Sequence, residues 1–175
     1  MRTKTGPGFY LMLAAIMVAT FVIHEAGHWL AAVALGHDAY YGLNGAGARG
    51  PIPASHAALI SIAGPVVTVF QGVAAFLIAR RRPGLTAFAV LWAAAFMRLA
   101  AAGLSLILLN DEARVSVFLG WPAFVLPVLV AGGLIALTVI IGTRLRLSWK
   151  AWVMSWLVGS AAVSAVVYLD MALKG

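Results

Sequence analysis

The sequence predicts an all-α integral membrane protein, a bundle of about five transmembrane helices. Three observations carry that expectation. Of the 175 residues, 63% are hydrophobic and only 10% charged, against about 45–50% and about 25% in an average soluble domain. Mean hydropathy is +1.02. The apolar residues fall into runs of membrane length separated by short basic clusters, a pattern that anchors a topology in the bilayer. Too few charges remain to clothe a soluble globule. The glycines follow no three-residue period, which excludes a collagen-like chain.

A spanning helix needs about 20 predominantly apolar residues. Runs of that length lie at about 9–35, 57–78, 85–109, 122–141 and 151–169, forming one membrane domain over 1–175. The first run is too long for a cleaved signal peptide and reads as a retained span. Connections are short except 36–56, a Gly-rich stretch without helical periodicity, which reads as a flexible spacer or a lid. Tyr40 and Tyr41 within it suit the headgroup level. No internal repeat supports an inverted-repeat transporter.

The formal net charge is +7. Arg2 and Lys4 precede span one, Arg80, Arg81 and Arg82 follow span two, and Arg144, Arg146 and Lys150 separate spans four and five. These segments share one side. Arg49, Arg114 and Lys174 lie on the other, with Asp38, Asp111, Glu112 and Asp170. The positive-inside rule then puts the N-terminus in the cytoplasm and the C-terminus outside, in a multi-pass protein of the cell membrane. No recognition helix or aromatic–basic interleaving points to nucleic acid.

Chemistry concentrates in His24-Glu25-Ala26-Gly27-His28, inside span one. Residues four apart share a helix face, so both imidazoles can reach one metal ion. Glu25 is rotated by about a quarter turn and can address a water at an open coordination position. Two neutral His ligands, an open position and a carboxylate base are what a zinc hydrolase requires. Burying three polar side chains in two turns for packing alone is costly in a membrane. Cysteine is absent, so any third ligand is His, Asp or Glu. A His six positions after the motif is missing, because Ala34 stands there, which excludes the metzincin pattern. The candidates are His37, Asp38, His56, Asp111 and Glu112, with Asp111 preferred and Glu112 next.

On these residues the chain resembles the site-2 protease family of intramembrane zinc metalloproteases. The resemblance covers about residues 10–115. It rests on His24-Glu25-Ala26-Gly27-His28, including the Gly before the second His, and on Ala63-Gly64-Pro65, similar to the family's small-Gly-Pro element. It implies zinc on His24, His28 and Asp111, with Glu25 as catalytic base. It also implies a substrate-binding segment at Gly64, Pro65 and Thr68, where Thr68 stands for a common Asn. The family's Asp is usually followed by Gly; here Glu112 follows.

Arg98 lies near the middle of span three, at a depth similar to Glu25. It can pair with Glu25, stabilise an oxyanion, or neutralise another acid; Glu112 is a supporting candidate. Counted at about 1.5 Å per residue, His24 lies about 16 Å below the outer end of span one, while Asp111 is just past span three. The two meet only if span one overhangs, span three tilts or the Asp111 segment dips inward. If Asp111 and Glu112 continue a helix they diverge by about 100°, so only one is expected to point into the bundle. The leading expectation is a peptidase that cuts in or near a membrane segment of a partner protein, within the lipid bilayer. The alternatives are a non-proteolytic metal-binding or chaperone-like membrane protein and, less favoured, a metal transporter.

Overall fold

The computed structural model describes residues 3–174. Arg2, part of the charge bias above, lies outside the described residues, as does the side chain of Lys174. The elements in chain order are α1 (Pro7–Ala34), β1 (Ala39–Gly42), β2 (Gly45–Ala48), α2 (Ala54–Arg81), α3 (Leu85–Leu104), α4 (Asp111–Phe118), α5 (Val125–Arg144) and α6 (Trp149–Lys174). Five of these helices, all but α4, are long and apolar enough to cross a membrane. The protein is an all-α, multi-pass membrane bundle with one small sheet.

Pro7 opens α1, where its fixed φ costs nothing and its missing N–H would be unpaired anyway. Gly36, with φ of 77°, turns the chain out of that helix. The second and fifth spans extend a few residues past both expected ends. The first starts two residues early and ends one short, the fourth is shifted three residues toward the C-terminus, and the third is shorter than expected. That helix stops at Leu104, and Leu106, Ile107, Leu108 and Leu109 follow as exposed apolar residues outside any helix. Hydropathy alone had joined this run to the span. Asn110 explains the break, because its side-chain amide donates to the Ala101 carbonyl, 3.0 Å, and ties the turn to the end of α3.

The core centres on α3, which packs on α1, α2 and α5. Its alanines at 89, 93 and 94 are fully buried. Such small residues let neighbouring backbones approach, which is how helices associate where lipid is as apolar as the side chains. Around them Phe9, Phe88, Trp92 and Phe96 fill the space between helices. The stretch 36–56 is not a featureless loop. It holds β1 and β2, an antiparallel hairpin in which Gly42 pairs with Gly45 and Tyr41 with Ala46. The hairpin lies along α1, where Tyr41 donates to the Val22 carbonyl, 2.9 Å.

Candidate metal centre

His24, Glu25 and His28 are all buried on α1. The α1–α2 crossing is close because glycines meet there: a Cβ on Gly27 would press on the Ala63 carbonyl and the Gly64 Cα, at 3.1 and 3.2 Å. A Cβ on Gly64 would fall on the imidazoles of His28 and His24. Gly64 is therefore the space that the two rings occupy.

The proton inventory fixes how the rings point. Thr68 has one hydroxyl proton and donates it to the Gly64 carbonyl, 3.1 Å. Its oxygen accepts from His24 Nδ1 at 2.9 Å. His28 Nδ1 donates to the Ile60 carbonyl, 2.6 Å. A neutral imidazole with its proton on Nδ1 presents a lone pair on Nε2. Arg98 Nη2 lies 3.4 Å from His24 Nε2, and a guanidinium can only donate. Both Nε2 atoms therefore face the same point as bare acceptors, 3.1 Å apart.

The third group at that point is Asp111. Its Oδ2 lies 3.3 Å from His24 Nε2 and 3.4 Å from His28 Nε2. The depth problem is solved by the chain turning back after α3, so that α4 re-enters the bundle against α2 and α5. The other third-ligand candidates stand elsewhere. Asp38 pairs with Arg49, 3.1 Å, and His37 Nε2 bonds His56 Nδ1, 2.8 Å.

Glu112 does not point away from the bundle, as its neighbour's inward direction predicts. It is buried and bonded to Arg98 Nη1 through Oε1, 2.9 Å. Both acids turn inward because Arg98, itself buried, reaches between them, with Nη1 4.0 Å from Asp111 Oδ2. Of the roles open to Arg98, neutralising another acid is the one its contacts display. Gly64, Pro65 and Thr68, assigned to substrate by the resemblance, are buried behind the imidazoles and do not line the cavity in front. Thr68 spends its hydroxyl on Gly64 and His24, so it orients a ring and has no donor left for a substrate carbonyl.

In front of the cluster lies a cavity of about 430 Å³ lined by Glu25, Tyr40, Asn44, Ala46 and Met97 together with the cluster itself. The backbone amide of Ala46 faces the Glu25 carboxylate. Asp170 on α6, read from sequence as a flanking charge, is buried and accepts from the Leu43 N–H, 3.1 Å, at the hairpin's turn. It was missed although a carboxylate in an apolar helix is itself a signal.

Comparison with protein-family models, with curated proteins and with solved structures returns no match to this chain. The chemistry rests on the site's own geometry.

That geometry fits a divalent cation. His24, His28 and Asp111 each offer one ligand atom to a common point. Ligands about 2.0–2.1 Å from a tetrahedral zinc stand roughly 3.3–3.4 Å apart, close to the three separations observed here. Three electron pairs converge with no proton between them. The acids Glu25, Asp111 and Glu112 stand around the point with two guanidinium residues, Arg98 and Arg114, and a divalent cation would offset the negative charge that remains. Each ring nitrogen turned away from the point is anchored by an oxygen, as metal-bound imidazoles require.

Proposed function

We propose that the protein is an intramembrane zinc metallopeptidase of the site-2 protease kind, acting on a membrane segment of another protein. The observation that carries this reading is the convergence of His24 Nε2, His28 Nε2 and Asp111 Oδ2 beside a cavity that also presents Glu25. A zinc ion held by the three ligands supplies Lewis acidity and makes water more acidic.

Glu25 has no part in holding the rings and faces the cavity, so it is the group placed to take a proton from water. Hydrolysis adds that water to the peptide carbonyl carbon, breaks the C–N bond and returns the proton from Glu25 to the leaving amine. Arg98 keeps Glu112 neutralised and lends positive charge beside Asp111.

The hairpin supports an extended substrate. Gly42 and Gly45 flank its two-residue turn as a hydrogen-bonded pair, so at the next pair Ala46 directs its N–H and C=O away from β1. That outer edge of β2 faces Glu25 and is unpaired among the described strands. An extended segment can add to it, and a helical substrate must unwind to do so, since its carbonyls are otherwise bonded within the helix.

The test is Glu25→Gln in the full chain, assayed in detergent micelles on a fluorescein-labelled, unstructured casein. Loss of a proton-transfer group costs about 10²–10⁴-fold, so cleavage should fall by at least about 100-fold while zinc stays bound. Undiminished cleavage by Glu25→Gln, or none by the wild type with its zinc in place, sinks the peptidase reading and leaves a metal-binding membrane protein.

A further inference from the structure

At the end of the bundle remote from the cavity, Lys4, Arg80, Arg81, Arg82, Arg144, Arg146 and Lys150 are all exposed. No acid answers them: the ion pairs of the described residues all involve Asp38, Asp111 or Glu112. Arg144 donates to the Arg80 carbonyl, 2.7 Å, bringing the ends of α2 and α5 together. Arg146 has φ of 51°, a conformation that costs a side-chain-bearing residue energy and that glycine normally fills after a helix.

Beside this lip a groove of about 240 Å³ opens between α5 and α6. Trp92 and Phe96 of α3, Thr138 and Val139 of α5, and Trp152 and Trp156 of α6 line it. The Thr138 hydroxyl is spent on the Leu134 carbonyl, 2.7 Å, so it asks nothing of an occupant. The groove is built, because Gly142 admits the Trp152 ring against α5 and Gly159 admits Trp92 against α6. Its mouth is close to the basic lip: Thr138 precedes Arg144 by six residues, about 9 Å of helix.

We propose that this groove and lip form a binding site for one anionic phospholipid, with an acyl chain against the tryptophans and the phosphate at Arg146 and Lys150. Charge complementarity and the continuity of the apolar groove with uncompensated cations select this occupant. The groove shares no lining residue with the cavity, its basic lip lies at the remote end, and the site does not depend on the peptidase reading.

Native mass spectrometry of the full chain in detergent, titrated with phosphatidylglycerol or phosphatidylcholine of the same chains, tests it. Phosphatidylglycerol should bind at least tenfold more tightly at the first site. Each cation near an anionic headgroup is worth roughly fivefold, so Arg146→Gln with Lys150→Gln should weaken that binding by about 25-fold. Arg81→Gln with Arg82→Gln makes the same change in net charge away from the groove and should have little effect. Val139→Trp, at a half-exposed position, should fill the groove and weaken both lipids. Glycerol 3-phosphate without acyl chains should not compete at millimolar concentration. The proposal is overturned by equal binding of the two lipids, by equal effects of the two charge pairs, by a silent Val139→Trp, or by competition from glycerol 3-phosphate.

Discussion

Gly64 stands where any side chain would displace the imidazole of His28. The small residue and the metal-binding face are thus one feature seen from two helices. Gly64→Ala should reduce bound zinc to under about a tenth of the wild-type content. Inserting a methyl into a packed site costs about 1–3 kcal/mol, so the helical bundle should still form. Gly27→Ala meets backbone and Val67 at 3.1–3.2 Å. It should lower thermal stability in detergent while leaving more zinc bound than Gly64→Ala. The reverse order of zinc contents would mean that Gly64 does not make room for the rings.

Thr68 is assigned here to orienting His24. Thr68→Val keeps the shape and removes the oxygen that His24 Nδ1 binds. Losing such a partner typically weakens metal affinity by 10- to 100-fold. Thr68→Ser should restore most of it. Zinc competition with a chromophoric chelator reads this directly, and equal affinity in all three proteins would return Thr68 to a packing role.

Arg98 and Glu112 form a buried pair, each 3% exposed or less. Removing one partner leaves an uncompensated buried charge, at a cost of about 3–5 kcal/mol. Arg98→Met should therefore lower the midpoint of thermal unfolding sharply, and Arg98→Met with Glu112→Leu should recover much of the loss. Glu112→Gln should retain zinc far better than Asp111→Asn. Loss of zinc in Glu112→Gln with retention in Asp111→Asn would exchange the roles of the two acids.

The basic lip gives the orientation to be tested. Reporters fused after Arg82 or at Arg146 should report the cytoplasm, and one after Lys174 the exterior. A cytoplasmic C-terminus would show that the charge bias does not set the topology.

The bundle was legible because membrane length and hydropathy are local properties of each run. His24, Glu25 and His28 were legible for a similar reason, since helical spacing alone puts the two imidazoles on one face. What failed was the non-local part. The run Leu106–Leu109 is as apolar as a helix, but it faces outward from a turn that Asn110 pins to α3. The hairpin of 39–48 has strands of four residues rich in Gly and Ala, too short and too plain to show alternation. The inward turn of both Asp111 and Glu112 depends on Arg98 from another helix, and Asp170 depends on where the hairpin's turn lands. The Ile60 carbonyl that orients His28 carries no sequence signal at all, being backbone.

The central claim is that His24, His28 and Asp111 together hold one divalent cation. Metal content by plasma mass spectrometry, on detergent-purified wild type, His28→Ala and Asp111→Asn with matched helical content, tests it most directly. About one zinc per chain is expected in the wild type, and little in either variant, because each loses one of three protein ligands. Negligible metal in all three proteins after loading with zinc, or full zinc in Asp111→Asn, would contradict it.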